Sequence, residues 1–461
     1  MTDVSIEPRT GGLPLDSLAC PRCDGALDTA GTGLHCNGCN ITFPVLGGVP
    51  WLFSEPNAAL AEWRSRYQYT IERSNQDAVR ARNEASAATR GSTRNRLTRL
   101  ADARAAFAAE LSSILEPLAG QPSDTAVETH LALKTRLPPG QGIDTYHANI
   151  HRDWCWGDEE NQTSLDLVRA ALPESPQNLL VLGAGAGRLA FDLHRTNPNQ
   201  HTVALDINPL LVFIGANLAA GHPVALHEFP LAPKTATDVA LPRVLENATP
   251  AAPGLHWVLG DAMRPPFQAG AFDALVTPWF VDIVDQDLAT TAARINRLLA
   301  PQGRWVIFGS LAFGSPEYAQ RYSLEESLEV IADAGFERPD VTETTIPYLC
   351  SPASRHGRRE QVVTISAMKS REAEPIERHT TLPDWLVRSN LAVPLLSSFE
   401  TQAISTRIYA FIMSMIDGKR TIAEMAKQME EQQLMPKAEA DAAIRNFLIK
   451  MYDESRSGMR Y

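Results

Sequence analysis

The sequence lacks several features that would place it in a special class of protein. No apolar run among its 461 residues reaches the roughly 18 residues that a membrane-spanning helix needs. The first residues also lack the basic-then-apolar pattern of a secretory signal peptide. A net charge of −12 opposes binding to a phosphate backbone, so nucleic acid is not an expected partner. These absences favour a cytoplasmic globular protein, and its length favours two or three domains.

Cysteine is also scarce, with six residues in the chain, yet four of them form two closely spaced pairs. Cys20 and Cys23 make one C-x₂-C pair and Cys36 and Cys39 make the other, with 12 residues between the pairs. This spacing is typical of four thiolates around one tetrahedral Zn²⁺, and a site with four protein ligands is structural rather than catalytic. Two disulfides or four unrelated thiols are the alternatives.

A buried strand followed by a glycine-rich turn lies at the centre of the chain. Residues 179–182 are four apolar residues in a row, and Gly183, Gly185 and Gly187 follow at every second position. Glycines let the backbone turn sharply and approach a ligand closely. Because residues 188–196 have helical apolar spacing, the turn should face the crevice at the strand's carboxyl end. A nucleotide-like ligand would bind there.

Acidic residues stand at the ends of the next two predicted strands. Asp206 follows Gly187 by 19 residues, a distance typical of a carboxylate that binds the hydroxyls of a ribose. The following strand ends at Asp261 and Ala262, where a carboxylate or an amide can face the amino edge of an adenine. Together with the glycine turn, these positions predict a site for an adenosine-containing cofactor.

Three further elements complete the pattern: a strand at residues 272–277, a helix at residues 289–299 and a strand at residues 304–309. An L-x-P-x-G turn precedes the last strand. This order resembles that of class I S-adenosylmethionine-dependent methyltransferases. The resemblance implies an α/β, Rossmann-like core and S-adenosylmethionine as the cofactor. A nicotinamide enzyme and a fold without activity are the alternatives, but a dehydrogenase more often keeps the spacing G-x-G-x-x-G.

The cysteine region, LACPRCDGAL followed by LHCNGCNITFPVLGGVPWLF, resembles the small zinc-ribbon family whose members activate transfer-RNA and release-factor methyltransferases. The resemblance implies that the ribbon covers an apolar flank of a methyltransferase, and it implies no substrate. We therefore expect four parts: a zinc ribbon with a mobile leader, a helical segment with a connection, a methyltransferase core and a C-terminal module. Their predicted limits are residues 1–56, 57–144, 145–369 and 380–461.

The helical segment contains ten arginines between Arg64 and Arg104. No regular series of aromatic residues accompanies them, as a single-stranded nucleic-acid site would require. A solvated helical face is the favoured interpretation of this segment.

Eight blocks between residues 145 and 368 are similar, in order, to the carnosine N-methyltransferase family. They are HRDW, LVLGAGAGRLAFDL, ALDINPLL, LGDA, LVTPWFVDIVD, LLAPQGRWVIFG, YSLEESLEVIADAGF and IPYL. A proline-bearing insertion between the second and third strands also fits this family. The resemblance implies N-methylation of an imidazole, in a small histidine-containing peptide or a related metabolite.

The resemblance also assigns roles to individual residues. The implied cofactor-binding set is Asn149, Arg152, Gly183, Gly185, Gly187, Asp206, Asp261 and Ala262. Arg152 would bind the cofactor's carboxylate, while Asn149 and Asp206 replace a glutamine and a glutamate of the family.

On the acceptor side, the resemblance implies that Asp282 holds the acceptor imidazole and that Tyr348 lines the same pocket. A family histidine is missing, because its position falls near Gly314. Either another group does its work or the acceptor differs from carnosine. A role for Asp282 as a helix cap is the structural alternative.

The C-terminal residues, with the pattern IDGKRTIAEMAKQM, resemble small winged-helix modules. These include the peptide chaperone of pyrroloquinoline quinone biosynthesis and leader-peptide recognition domains. The resemblance implies docking of a precursor peptide or a second subunit rather than DNA, and Thr421 is predicted to cap a helix. Two alternative functions follow: a methyltransferase acting on a larger peptide or natural product, and a cofactor-binding regulator without turnover.

Overall fold

The computed structural model describes residues 15–119, 142–197, 200–284, 286–315, 317–374 and 392–457. The chain forms two compact units, with the boundary between residues 377 and 378. Of the leader predicted at residues 1–17, residues 1–14 lie outside the described residues, and so does the whole connection predicted at residues 121–141. Among the residues described, no helix has the length and apolar character needed to span a membrane.

The first unit is built on one eleven-stranded sheet, and two further strands form a separate hairpin. In chain order the strands are β1 (Asp28–Ala30), β2 (Gly33–Cys36), β3 (Ile41–Leu46), β4 (Val49–Leu52), β5 (Asn178–Leu182), β6 (His201–Asp206), β7 (Val224–Glu228), β8 (Leu241–Leu245), β9 (Leu255–Gly260), β10 (Phe272–Pro278), β11 (Leu299–Gly309), β12 (Asp340–Tyr348) and β13 (Arg358–Met368). The order across the sheet is β1-β2-β3-β4-β9-β6-β5-β10-β11-β13-β12, and β7 pairs with β8.

The core of the sheet is a doubly wound arrangement of seven strands. Strands β9, β6, β5, β10 and β11 are parallel, and β13 is antiparallel to both of its neighbours, β11 and β12. The chain moves outward from β5 first on one side and then on the other. A crevice therefore opens at the carboxyl end of β5, which is where ligands bind in such sheets.

The position of β13 corrects one expectation. The apolar run at residues 362–367, the last one before the charged linker, predicts an edge strand, but β13 lies between β11 and β12, and β12 occupies the edge. Six consecutive residues of β13 are buried, as expected for an inner strand covered on both faces.

Helices cover both faces of the core. In the first unit they are α1 (Pro56–Ala87), α2 (Gly91–Ile114), α3 (His147–His151), α4 (Asp158–Ala171), α5 (Arg188–Thr196), α6 (Pro209–Ala219), α7 (Leu288–Leu298) and α8 (Leu324–Asp333). A single π-helical turn, Arg152–Trp156, joins α3 to α4. Helices α3 and α4, with this turn between them, directly precede β5 in the chain.

The cysteine-rich region and the helical segment both pack on the core. Strand β4 pairs in parallel with β9, so β1 to β4 extend the central sheet. Alanine-rich helices α1 and α2 form a long antiparallel hairpin. Its residues Trp63, Phe107 and Leu111 share one buried cluster with Phe213 and Ile214 of α6. This apolar contact ties the hairpin to the core.

The second unit consists of three helices, α9 (Ser397–Ser414), α10 (Ile422–Glu431) and α11 (Lys437–Ser457). The Thr421 side chain accepts a hydrogen bond from the Glu424 amide, which confirms the predicted cap of α10. Residues 392–457 contain no strand, and hence no wing, so the winged-helix resemblance is not confirmed.

Candidate functional site

The glycine turn after β5 is shaped to admit a ligand at one position only. Gly183, Gly185 and Gly187 all have positive φ, at 69°, 59° and 74°. A Cβ at Gly183 would lie 2.6 Å from the Phe280 ring, and a Cβ at Gly187 would collide with Trp257. A Cβ at Gly185 would meet nothing within 4 Å. The turn is therefore packed at its two ends and open at Gly185.

Asp206, at the end of β6, faces this opening. Its carboxylate accepts hydrogen bonds from the Gly185 amide at 2.8 Å and from the Asn208 amide at 2.9 Å. Burial raises the pKa of Asp206, while these backbone donors act in the opposite direction. Two oxygens offer about four acceptor directions, so the carboxylate can still receive ligand hydroxyls.

Asp261 and Ala262 follow β9, the strand next to β6 in the sheet. Asp261 accepts a hydrogen bond from the Met263 amide at 2.8 Å, and burial raises the pKa of its carboxyl group. Ala262 lies close to Leu182, Met263, Phe280 and Ile295, and the polar side chains of Thr291 and Arg294 border the same region.

Arg152 belongs to the π-helical turn, which lies against the glycine turn. Trp154 Nε1 donates to the carbonyl of Ala186 at 3.0 Å, and Arg188 Nη1 donates to the carbonyl of Asp153 at 2.7 Å. Single π-helical turns within helices are frequent at functional sites. These two bonds place the turn, and Arg152 with it, beside the predicted cofactor crevice.

The Arg152 guanidinium is held between two carboxylates. Its Nε donates to Asp153 Oδ1 at 2.5 Å, and its Nη1 donates to Glu160. Burial by itself lowers the pKa of Arg152, but both carboxylates outweigh it and raise that pKa above its usual range. The group is thus permanently charged and oriented. Asn149, also predicted to bind the cofactor, lies half-buried on α3, three residues before Arg152.

Asp282 follows β10 and has one carboxylate oxygen without a partner. Oδ2 accepts a hydrogen bond from the Ala312 amide at 3.2 Å. Oδ1 is buried, and none of the described residues hydrogen bonds to it. Burial raises the pKa of this carboxyl group, while the Ser310 hydroxyl lies close enough to the same carboxylate to act in the opposite direction. The helix-cap alternative is wrong, because α7 begins at Leu288 and its cap is Asp287.

Two tyrosines lie in the region of Asp206 and Asp282. Tyr348, at the end of β12, packs against Trp279 with ring centroids 4.6 Å apart. Tyr146 precedes α3, and the sequence alone did not identify it as a site residue. Burial raises the pKa of Tyr146, and so do the nearby Asp206, Tyr348 and Asp282. Tyr146 is therefore near Asp206, which is predicted to bind the cofactor, and near Tyr348 and Asp282, which are predicted to line the acceptor pocket.

No sequence signal could have identified Tyr146, since a single tyrosine before a short helix belongs to no pattern. Glu160 was missed for a similar reason. It stands among Asp158, Glu159 and Glu160 in the first turn of α4, where acids are common because they oppose the helix dipole.

The four predicted metal ligands converge in the β1–β4 region. The sulfurs of Cys20, Cys23, Cys36 and Cys39 lie within 4.8 Å of one another, and all four are free thiols. Cys23 Sγ and Cys36 Sγ are 3.5 Å apart, close to the about 3.8 Å between sulfurs around a tetrahedral Zn²⁺. A Cβ at Gly25 would come within 3.2 Å of Cys23 Sγ, so the turn needs glycine there.

The protonation state of these thiols also matters for metal binding, because a thiol must lose its proton to become a ligand. Burial raises the pKa of Cys20, and it raises the pKa of Cys39 to about 11. A thiolate cluster with such pKa values forms at neutral pH when a cation compensates its charge. The donor set therefore fits a structural Zn²⁺ and leaves no position open for a substrate.

Comparison with known proteins agrees with this geometry. Residues 180–307 match the family described as a methyltransferase domain. The ubiquinone/menaquinone biosynthesis C-methyltransferase of Dinoroseobacter shibae is 23% identical over 192 residues, which cover 42% of this chain and 62% of the relative. The chain thus spans less than two thirds of that relative's length.

Solved structures of similar proteins include two N-methyltransferases by description. A possible histamine N-methyltransferase of Thermotoga maritima has 16% identity and a TM-score of 0.30, covering 48% of this chain and 92% of its own. The N-methyltransferase NodS of Bradyrhizobium japonicum has 14% identity and a TM-score of 0.30, covering 47% of this chain and 97% of its own.

Proposed function

We propose that this protein, which contains a class I S-adenosylmethionine-dependent methyltransferase domain, methylates a ring nitrogen of an imidazole. The acceptor would be a small histidine-containing peptide or a related metabolite. One observation carries the proposal: Asp282 Oδ1 is buried and lacks a hydrogen-bond donor among the described residues. Buried polar atoms are normally paired, and an imidazole N–H is a donor of suitable size.

The residues around the crevice would hold the cofactor, which supplies a methyl group on a sulfonium. The open position at Gly185 admits its backbone-facing part, Asp206 accepts from the ribose hydroxyls, and Asp261 with Ala262 faces the adenine. Arg152 offers its remaining Nη2 to the amino-acid carboxylate, a pairing that guanidinium geometry favours. Asn149 supplies an amide nearby.

Asp282 would orient the acceptor and then stabilise the product. A neutral imidazole has one N–H and one lone pair, so a carboxylate on the N–H decides which nitrogen attacks. That lone pair forms the new C–N bond while the electrons of the S–C bond stay with sulfur. The methylated ring is an imidazolium, and Asp282 can accept its N–H proton because burial raises the carboxyl pKa. Tyr348 would line the same pocket.

Exchange of Asp282 for Asn tests this function. Asp282→Asn keeps the side-chain shape but loses the negative charge, so turnover of an imidazole acceptor should fall by about 10²–10⁴. Mass spectrometry should detect the product as acceptor plus one methylene. S-adenosylhomocysteine should still bind, as calorimetry can measure. Asp287→Asn, on the cap of α7, is the matched control and should keep wild-type turnover.

The acceptor is identified by screening the wild-type protein over histidine, carnosine, other imidazoles and precursor-like peptides. A wild-type rate in Asp282→Asn would exclude the imidazole proposal. So would methylation of a carbon atom, the chemistry named for the Dinoroseobacter relative.

A second candidate is a larger peptide or natural product delivered by the C-terminal unit. This unit exposes large apolar side chains, among them Leu395, Tyr409, Met413 and Ile416. Such side chains on one small unit are typical of a docking surface for a peptide or a second subunit. The four cysteines would serve either function by holding a structural Zn²⁺.

A further inference from the structure

Glu160 connects two parts of the cleft that are far apart in the sequence. It is only 4% exposed, and each of its carboxylate oxygens has a different partner. Oε1 accepts from the Arg152 guanidinium, and Oε2 accepts from the Leu349 amide at 2.9 Å. Arg152 lies beside the glycine turn, whereas Leu349 directly follows Tyr348. A single buried carboxylate therefore touches the cofactor side and the acceptor side.

The Leu349 backbone adopts a conformation that needs such support. Its φ is 50°, in the left-handed region that a branched residue such as leucine rarely adopts. This conformation is strained, and it persists only where surrounding contacts hold it. The hydrogen bond from its amide to Glu160 is one such contact.

A second anchor holds the same loop from its other end. Ser351 Oγ donates to Glu228 Oε1 at 2.5 Å, and Glu228 is in turn paired with Arg243. Among the described residues, the Arg152 guanidinium hydrogen bonds to Asp153 and Glu160, and neither Ser351 nor Glu228 contacts it. The loop that directly follows Tyr348 is thus held at Leu349 by a residue bonded to Arg152, and at Ser351 independently of Arg152.

We propose that Glu160 is a positioning residue that couples cofactor binding to the acceptor wall formed by Tyr348. This proposed coupling rests on the proposed function, because it takes Arg152 as the partner of the cofactor's carboxylate. A carboxylate bound at Arg152 Nη2 immobilises the guanidinium, and the guanidinium then immobilises Glu160. Glu160 in turn holds the Leu349 amide and with it the backbone of Tyr348. Such coupling is reciprocal, so acceptor binding strengthens cofactor binding by the same factor.

Hydrogen–deuterium exchange tests the coupling without knowledge of the acceptor. The probe is S-adenosylhomocysteine at saturating concentration, and the readout is the exchange rate of the peptide that contains Leu349. In the wild-type protein we expect exchange to slow by about tenfold, because the bound ligand suppresses local opening of the Leu349–Glu160 bond. Calorimetry establishes saturation for each variant.

Glu160→Gln is the decisive variant. One glutamine oxygen cannot serve both Arg152 and Leu349, and its amide group repels the guanidinium. We expect weaker ligand binding and, at saturation, no slowing of exchange at Leu349.

Two controls separate the ends of the connection. Asp153→Asn touches Arg152 but not Leu349, so it should weaken ligand binding and keep the protection at saturation. Ser351→Ala loosens the loop independently of Arg152, so exchange should rise with and without ligand while the tenfold difference remains.

The outcomes are distinct. Unchanged exchange at Leu349 in wild-type protein that demonstrably binds S-adenosylhomocysteine overturns the coupling, even where a variant fails to fold. Full protection in Glu160→Gln also overturns it. Absence of any S-adenosylhomocysteine binding by the wild-type protein instead overturns the proposed function, and the coupling with it.

Discussion

At the scale of single residues, three glycines with similar backbone angles have different reasons to be glycine. Gly187 adjoins the Trp257 ring and Gly183 adjoins the Phe280 ring, whereas Gly185 borders open space. Packing therefore excludes a side chain at the two outer positions, whereas at Gly185 the proposed function gives the reason, access for the ligand. Mutation of each position to alanine should separate these two reasons.

We expect Gly187→Ala to reduce folding stability, because its Cβ would collide with Trp257 in a close-packed site. The free energy of unfolding should fall by about 1–3 kcal/mol or more, measured by urea denaturation. Gly185→Ala should fold with a smaller loss, about 1–2 kcal/mol for its left-handed backbone, yet lose at least about tenfold in S-adenosylhomocysteine affinity. Equal ligand affinity in Gly185→Ala and wild type would contradict placement of the cofactor at this turn.

Two buried histidines on α3 make stability depend on pH. Burial lowers the pKa of His147 to about 3 and that of His151 to about 4, so both stay neutral in the folded protein. His151, Asp144 and Arg104 are the charged or titratable groups nearest His147. In the unfolded chain a histidine titrates near 6.5. Between these values only the unfolded state takes up protons, so folding stability falls as pH decreases below 6.5.

His147→Phe isolates this effect, because the ring packs edge-on against Phe107 and a phenylalanine can keep that contact. The variant should lose less stability on acidification than the wild type, by about 3 kcal/mol between pH 6.5 and pH 4. Urea unfolding at several pH values measures the difference. Parallel curves for the two proteins would show that His147 does not contribute.

At the scale of elements, the cysteine region holds one wall of the cofactor crevice from two sides. Leu52 of β4 pairs with Gly260 at the end of β9, directly before Asp261. A few residues beyond Asp261, Phe267 forms an isolated bridge with Leu18, and the carbonyl of Pro266 accepts a hydrogen bond from the Ala19 amide at 2.9 Å. The segment between these contacts carries Asp261 and Ala262. Its geometry therefore depends on a folded β1–β4 region.

Loss of the metal should for this reason affect ligand binding as well as stability. We expect one Zn²⁺ per chain by elemental analysis, since so small a region has too little apolar core to fold unaided. Cys20→Ser should lower the midpoint of thermal unfolding and weaken S-adenosylhomocysteine binding by at least about tenfold. Cys155→Ser, at an exposed cysteine outside the cluster, should change neither. A metal-free protein with wild-type affinity would contradict this dependence.

At the scale of the whole molecule, the proposed cofactor site lies within the first compact unit. The residues predicted to bind the cofactor fall between positions 149 and 262, and the unit boundary falls after residue 377. The second unit has its own core, which includes Ile412, Met425 and Met429. Each unit therefore has its own apolar core, as separate domains do.

Truncation after residue 374 should leave S-adenosylhomocysteine affinity within about twofold of wild type, because every proposed cofactor contact remains. Turnover of a short imidazole acceptor should persist too. If the C-terminal unit delivers a longer peptide, activity on that peptide should be lost selectively. Equal activity of truncated and full-length protein on both acceptors would exclude delivery. Tight, salt-sensitive binding of duplex DNA by the full chain would contradict the expectation of a protein or peptide partner.

The sequence by itself determined what depends on local backbone chemistry. The spacing of Cys20, Cys23, Cys36 and Cys39 predicted a convergent cluster, and the structure brings their sulfurs together. Apolar runs predicted β5, β6, β9 and β10, and the capping pattern at Thr421 predicted the start of α10. These signals are readable because turns, caps and buried strands impose requirements on neighbouring residues.

Only the tertiary structure decided how distant elements meet. It placed β13 inside the sheet rather than at its edge, made Asp287 the cap instead of Asp282, and put Tyr146 near residues of both predicted sites. It also joined Glu160 to Leu349, which are 189 residues apart. Such contacts leave no local pattern, because a hydrogen bond between remote residues restricts neither partner's neighbours in the chain. These contacts follow from the spatial arrangement of the strands and helices in the folded protein, which hydrophobic periodicity does not encode.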